Sequence, residues 1–74
     1  MIFEKIRNII CEQLGVEEEK VTLNTSFEDL GVDSLDLFQI VIEIEEEFNI
    51  QIEEPEAIKT VEDAVNFVQE RAAE

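Results

Sequence analysis

The chain contains no histidine, one cysteine, one proline, two glycines, and five basic residues against 20 acidic ones. Without histidine, neither a Ser/His nor a Cys/His nucleophilic site can be assembled, and the commonest zinc ligand is missing. The lone Cys11 cannot close an intramolecular disulfide, which fits a reducing cytoplasmic setting. The shortage of Lys and Arg leaves a formal charge of −15, which excludes a nucleic-acid binder and argues against docking on anionic membranes. No stretch approaches the roughly 18 apolar residues of a membrane span, and the opening Met1-Ile2-Phe3-Glu4-Lys5 lacks the basic-then-apolar pattern of a signal peptide. Gly and Pro are too few for a linker, and no repeat or low-complexity tract is present.

What is present is a large apolar fraction. Of 74 residues, 45% are hydrophobic, too many for a chain held open by its own charge. One compact, very acidic and marginally stable domain spanning 1–74 is expected.

Ile2, Phe3, Ile6, Ile9, Ile10 and Leu14 fall on one face at roughly 100° per residue, and Gly15 supplies a stop, so an amphipathic helix is expected over 2–14. Cys11 lies at the margin of that face and reads as a small, partly buried hydrophobe. Residues 15–33 hold both glycines and the turn-prone Asn24-Thr25-Ser26. Their apolar anchors Val16, Val21, Leu23, Phe27, Leu30 and Val32 predict an ordered loop pinned to the core. Thr25 and Glu28 stand at capping-box spacing and predict one helical turn within it.

A second long helix is expected over 34–48, with Leu37, Ile40, Val41, Ile44 and Phe48 as its core stripe. Leu35, Phe38 and Ile42 form another apolar stripe on the nearly opposite side, among Gln39, Glu45 and Glu46. That stripe is either covered by the following segment or open to a partner. Asn49-Ile50-Gln51-Ile52 is too short to found a sheet, and Pro55 can open a short helix reaching Lys59. A last helix over 61–72 is signalled by a Thr60/Asp63 capping box and by Val61, Ala64, Val65, Val68 and Ala72 on one face. The expected fold is all-α: a small four-helix bundle with three longer helices, one short third helix, and a long ordered loop between the first two.

On spacing alone, Asp33-Ser34-Leu35-Asp36 is a capping pair, with Ser34 a residue of the first turn. However, the run Phe27-Glu28-Asp29-Leu30-Gly31-Val32-Asp33-Ser34-Leu35-Asp36, followed by a helix ending Glu45-Glu46-Glu47-Phe48, resembles the acyl carrier proteins of type II fatty acid synthesis. The likeness extends to Glu12-Gln13-Leu14-Gly15-Val16 and to Thr60-Val61-Glu62-Asp63-Ala64, and so covers nearly the whole chain.

The resemblance implies a carrier, not an enzyme. Its serine, Ser34 here, bears 4′-phosphopantetheine from coenzyme A through a phosphodiester, and the arm carries fatty acyl chains as thioesters. Asp33, Leu35 and Asp36 belong to the motif read by a phosphopantetheinyl transferase, and Asp36 helps hold the magnesium and basic groups of that enzyme. Leu35, Phe38, Gln39, Ile42, Glu45 and Glu46 match the positions that dock on basic patches of the fatty acid synthesis enzymes. The acyl cleft falls between the second and third helices, with Ile44, Ile52, Ile58 and Val61 as lining. A cytoplasmic monomer with no metal site of its own is implied. Physical chemistry supports the attachment, because an anion on Ser34 lies at a helix N-terminus, where unpaired N–H groups and the helix dipole favour it.

This sequence departs from the family at Gln39, where synthase carriers commonly have an acid, and in the Ile52 to Thr60 stretch, which is shorter than usual. Two other functions remain open on sequence grounds. One is a specialised D-alanyl, aminoacyl or polyketide carrier, and the other an unmodified acidic adaptor. Between Asp33 and Glu56 there are nine acids and no bases. Like charges at this density repel, so salt, divalent cations or acidification are expected to steady the fold.

Overall fold

Apolar residues at three- and four-residue spacing build α1 (Ile2–Leu14) in the computed structural model, which describes residues 2–72. Ile6 and Ile10 are fully buried, and Ile2, Phe3, Ile9, Cys11 and Leu14 pack half-buried around them. Gly15, at φ +68°, ends the helix by donating its N–H to the Cys11 carbonyl at 2.8 Å. A side chain is strained in that left-handed conformation and glycine is not.

The expected second helix is α2 (Ser34–Phe48), with Ile40, Val41 and Ile44 buried and Leu37 and Phe48 half-buried. Asn49 stops it at φ 54°, ψ 49°, and the N–H groups of Asn49 and Ile50 both turn back to the Glu45 carbonyl. This double closure satisfies backbone groups that a helix end otherwise leaves unpaired. The last helix is α3 (Val61–Ala72), and it buries Val61, Ala64, Val65 and Val68. Ala72, the final member of its expected stripe, has its side chain outside the described residues. The Thr60/Asp63 box forms in both directions: Asp63 N–H donates to Thr60 Oγ1 at 3.1 Å, and Asp63 Oδ2 accepts from Thr60 N–H at 3.2 Å and Lys59 N–H at 3.1 Å.

The helices share one apolar core in which α1 packs against both α2 and α3. No polar or charged side chain among the described residues is fully buried. The Cα radius of gyration is 11.0 Å, close to the roughly 11 Å expected of a folded chain this long.

The long loop is ordered as expected, but with two corrections. Val21 and Phe27 are buried, and Val16, Leu30 and Val32 half-buried, whereas Leu23 is 41% exposed. Leu23 is instead held by its backbone, whose carbonyl accepts from Glu62 N–H at 3.0 Å. The capping pair inside the loop is Ser26/Asp29, with Asp29 N–H donating to Ser26 Oγ at 3.0 Å, and not Thr25/Glu28. Thr25 Oγ1 is already taken up by Thr22, whose N–H donates to it at 3.0 Å. A 3-10 turn at Glu18–Lys20 adds a second structured piece to the loop.

The expected short third helix is a single 3-10 turn, Pro55–Ala57, so the described chain has three α-helices. Both ends of the segment are tied: Ile52 and Ile58 are buried in the core, and the Lys59 carbonyl accepts from Phe27 N–H at 3.0 Å. Ile58 is therefore extended, at φ −89°, ψ 104°, and the bonds Ala57 N–H to Glu54 and Ile58 N–H to Pro55 close only one tight turn. So short a tethered span leaves no room for a second turn.

Candidate functional site

The start of α2 is built by the turn before it. Leu30 and Val32 donate to the Phe27 carbonyl, Gly31 donates to Glu28, and Gly31 then reverses the chain at φ +77°. A Cβ there would meet nothing within 4 Å, so glycine is required by the backbone conformation and not by lack of space. Asp33 follows in extended conformation and caps the helix, its Oδ1 accepting from Asp36 N–H at 2.9 Å and its carbonyl from Leu37 N–H at 2.9 Å.

That cap leaves two donors open. The N–H groups of Ser34 and Leu35 have no acceptor among the described residues, and the Ser34 hydroxyl has no partner either. Ser34 is exposed and Leu35 is 76% exposed, with Asp33 exposed and Asp36 half-buried beside them. No histidine exists to activate the hydroxyl as a nucleophile. Open N–H groups and the positive end of the helix dipole do suit an anion attached to it.

The second apolar stripe is uncovered. Leu35, Phe38 (52%) and Ile42 (43%) are exposed with Gln39 and Glu46, and the Pro55–Ala57 turn, although it packs on α2, does not cover them. Glu45 differs from the others: it is half-buried, and its Oε2 accepts from Ile52 N–H at 2.7 Å. Five of the six expected docking positions therefore form an exposed face, and the sixth is engaged by the chain itself.

Beside the start of α2 lies a cavity of about 400 Å³ lined by Ser26, Phe27, Glu28, Val32, Leu37, Glu56, Ile58 and Lys59. Its lining combines four apolar side chains with two carboxylates and one ammonium. Val32 and Leu37, two of its lining residues, flank Ser34 in sequence. Of the four expected cleft residues, Ile44, Ile52, Ile58 and Val61 are all buried in the core, and only Ile58 also lines the cavity. Sequence reasoning missed Phe27, Val32 and Leu37 as cavity residues. They read as core anchors, and the long-range pairing that brings the loop to the segment before α3, the antiparallel bridge between Ser26 and Thr60, has no periodic signature. A second concavity of about 410 Å³ lies along Lys20, Thr22, Asn24, Thr25, Asp29 and Leu30 and involves no residue of α2.

The Cys11 thiol is half-buried. Its pKa is pushed up by loss of water and further by Glu18, with Arg7 partly opposing, so it stays protonated and poorly nucleophilic. No group of three potential metal ligands occurs among the described residues, and no helix there is long and apolar enough to cross a membrane.

Residues 4–68 match the family model described as a phosphopantetheine attachment site. The chain is 54% identical over 71 residues to an acyl carrier protein of Streptococcus pyogenes serotype M3, covering 96% of both chains. It is 52% identical to acyl carrier proteins of Streptococcus pneumoniae, again over 96% of both, and of Lactococcus lactis subsp. cremoris, over 92% of this chain and 93% of that one.

Proposed function

The chain belongs to the phosphopantetheine attachment-site family of acyl carrier proteins, and we propose that Ser34 is the residue through which it carries its prosthetic arm. The function is that of a carrier in fatty acid synthesis and not of an enzyme. The 4′-phosphopantetheine group supplies a terminal thiol, to which acyl chains are joined as thioesters.

The observation that carries the Ser34 assignment is the open helix start. An exposed hydroxyl stands at the first position of α2, next to two N–H groups without acceptors. A phosphodiester there gains charge-assisted hydrogen bonds and the favourable end of the helix dipole, together about 0.3–1 kcal/mol at an exposed site. Asp33 keeps the first turn wound while leaving those donors free, because its carboxylate reaches past them to Asp36 N–H. The thiol of Cys11 is shielded and protonated, so it does not compete with the thiol of the arm for acyl groups.

Leu35, Phe38, Gln39, Ile42 and Glu46 are the docking face in this reading, with the transferase and the synthesis enzymes as visitors bearing basic patches. The support is an exposed apolar strip flanked by acids on a helix without a single base. Charge then sets encounter rate and partner choice, and the small apolar centre keeps each stay short. The cavity at Phe27, Val32, Leu37 and Ile58 is the proposed shelter for the part of the acyl chain nearest the thioester, supported by these four apolar lining residues, two of which flank Ser34 in sequence. The reading takes the chain as one carrier domain acting as a monomer in the cytoplasm.

Intact-mass measurement after incubation with coenzyme A and a phosphopantetheinyl transferase tests the attachment. One phosphopantetheinyl group is gained by the native chain and none by Ser34→Ala. A native chain left unmodified by every competent transferase, or a Ser34→Ala chain that still gains the group, overturns the assignment.

A further inference from the structure

Glu45 holds a carboxylate where a helix least favours one, in the last turn of α2, among Glu43, Glu46 and Glu47. The negative end of the dipole and three like charges oppose it there. No cation stands within 4.0 Å of it among the described residues, since Lys5 pairs with Glu47. What holds it is the chain itself: Oε2 accepts from Ile52 N–H at 2.7 Å, and the Glu45 carbonyl accepts from the N–H groups of Asn49 and Ile50. Three donors of the connecting segment thus converge on one residue.

We propose that Glu45 is a positioning residue that latches residues 49–52 onto the end of α2 and thereby holds the Glu56, Ile58 and Lys59 wall of the cavity in place. The segment from Ile52 to that wall is short and contains one 3-10 turn, with the buried Ile52 and Ile58 as its anchors. Its other ties among the described residues are two tight-turn bonds, the Lys59 bonds and the packing of that turn on α2. Releasing Ile52 N–H removes one tie at the upstream end, beside the buried Ile52 side chain, and leaves a part-buried donor unpaired, so the wall is held less firmly against α2. Glu45 accordingly serves the fold, with its half-buried carboxylate engaged by Ile52 N–H. The part of this inference that concerns cargo rests on the proposed role of the cavity as an acyl shelter.

The test compares Glu45→Ala, Glu45→Gln and, as an exposed neighbour, Glu46→Ala. Amide hydrogen exchange in the unmodified protein reads the latch without involving Ser34. Glu45→Ala is expected to speed exchange at Ile52 about tenfold or more, the loss of a charge-assisted bond, while Glu45→Gln, which keeps an acceptor, restores protection and Glu46→Ala changes nothing. Unaltered Ile52 exchange in Glu45→Ala overturns the latch. Should that variant not fold, Glu45→Asp, one methylene short of Ile52, serves in its place under the same criterion. In acyl-loaded protein, hydroxylamine is expected to cleave the thioester faster in Glu45→Ala than in Glu45→Gln. Equal cleavage alongside faster Ile52 exchange overturns the link to the cavity wall, whereas a failed carrier assignment shows separately, as absent modification.

Discussion

The starts of α2 and α3 carry nearly the same local signal and end in opposite states. Asp33-Ser34-Leu35-Asp36 and Thr60-Val61-Glu62-Asp63 each set a capping side chain three residues before an acid. At α3 the first donors are all used: Val61 N–H goes to the Thr25 carbonyl, Glu62 N–H to Leu23, Asp63 N–H to Thr60 Oγ1 and Ala64 N–H to the Thr60 carbonyl. At α2, Asp36 and Leu37 are satisfied by Asp33, while the N–H groups of Ser34 and Leu35 have no acceptor among the described residues. The long loop makes the difference, because its Leu23 and Thr25 carbonyls accept from the first donors of α3, and no loop carbonyl among the described residues accepts from Ser34 or Leu35. A cap motif stabilises a helix end, but whether that end also becomes an anion site depends on what else reaches its remaining donors.

The largest effect that can break this comparison is on stability. Asp63→Ala removes the acceptor for two N–H groups at the sealed start and is expected to cost about 2 kcal/mol, lowering Tm by roughly 10 °C in a domain of this size. Asp33→Ala removes one bond at the open start and is expected to cost about 1 kcal/mol, roughly 5 °C. Thermal unfolding of both variants decides it, and equal losses would show that the second bond to Asp63 adds nothing at the start of α3.

A smaller effect separates the two starts by their open donors. Loading Ser34 is expected to slow amide exchange at Ser34 and Leu35 by about two- to fivefold, the scale of an exposed anion at a helix N-terminus. Val61 and Glu62, already bonded to the loop, stay unchanged. Exchange measured before and after loading checks both halves, and protection spread equally over both starts would contradict the local account.

The smallest effect comes from Cys11, remote in sequence from both starts. Its folded pKa is raised by burial and Glu18, so its contribution to stability is intact below the unfolded thiol pKa of about 8.5 and is lost as pH rises through the folded value. Tm of the native chain is therefore expected to fall more steeply in alkali than that of Cys11→Ala, with no difference in slope at neutral pH.

The three long helices were legible because each writes its period and its stop into neighbouring residues: Ile6 and Ile10 with Gly15, Ile40 and Ile44 after Asp33, Val61 and Val68 after Thr60. The exposed strip of Leu35, Phe38 and Ile42 was legible as a surplus of apolar residues, although its being uncovered was not. The short third helix was legible at its start, Pro55, but not in its length, because it closes as one 3-10 turn ending at Ala57 and the ties at Ile52 and Lys59 that flank it are long-range. Glu45 was read as a surface charge for the same reason. Its partner, Ile52 N–H, is a backbone group, and every residue type except proline offers one.

Local periodicity, capping spacing and charge thus specified three helices, a serine at the head of the second, and an acidic face lacking any base. Packing of the loop and of the Ile52 to Thr60 segment decided which helix start stays open, which carboxylate is taken inward, and where the cavity forms. Those outcomes depend on backbone donors and acceptors brought together across the core, and such groups are the same at almost every position until the chain has folded.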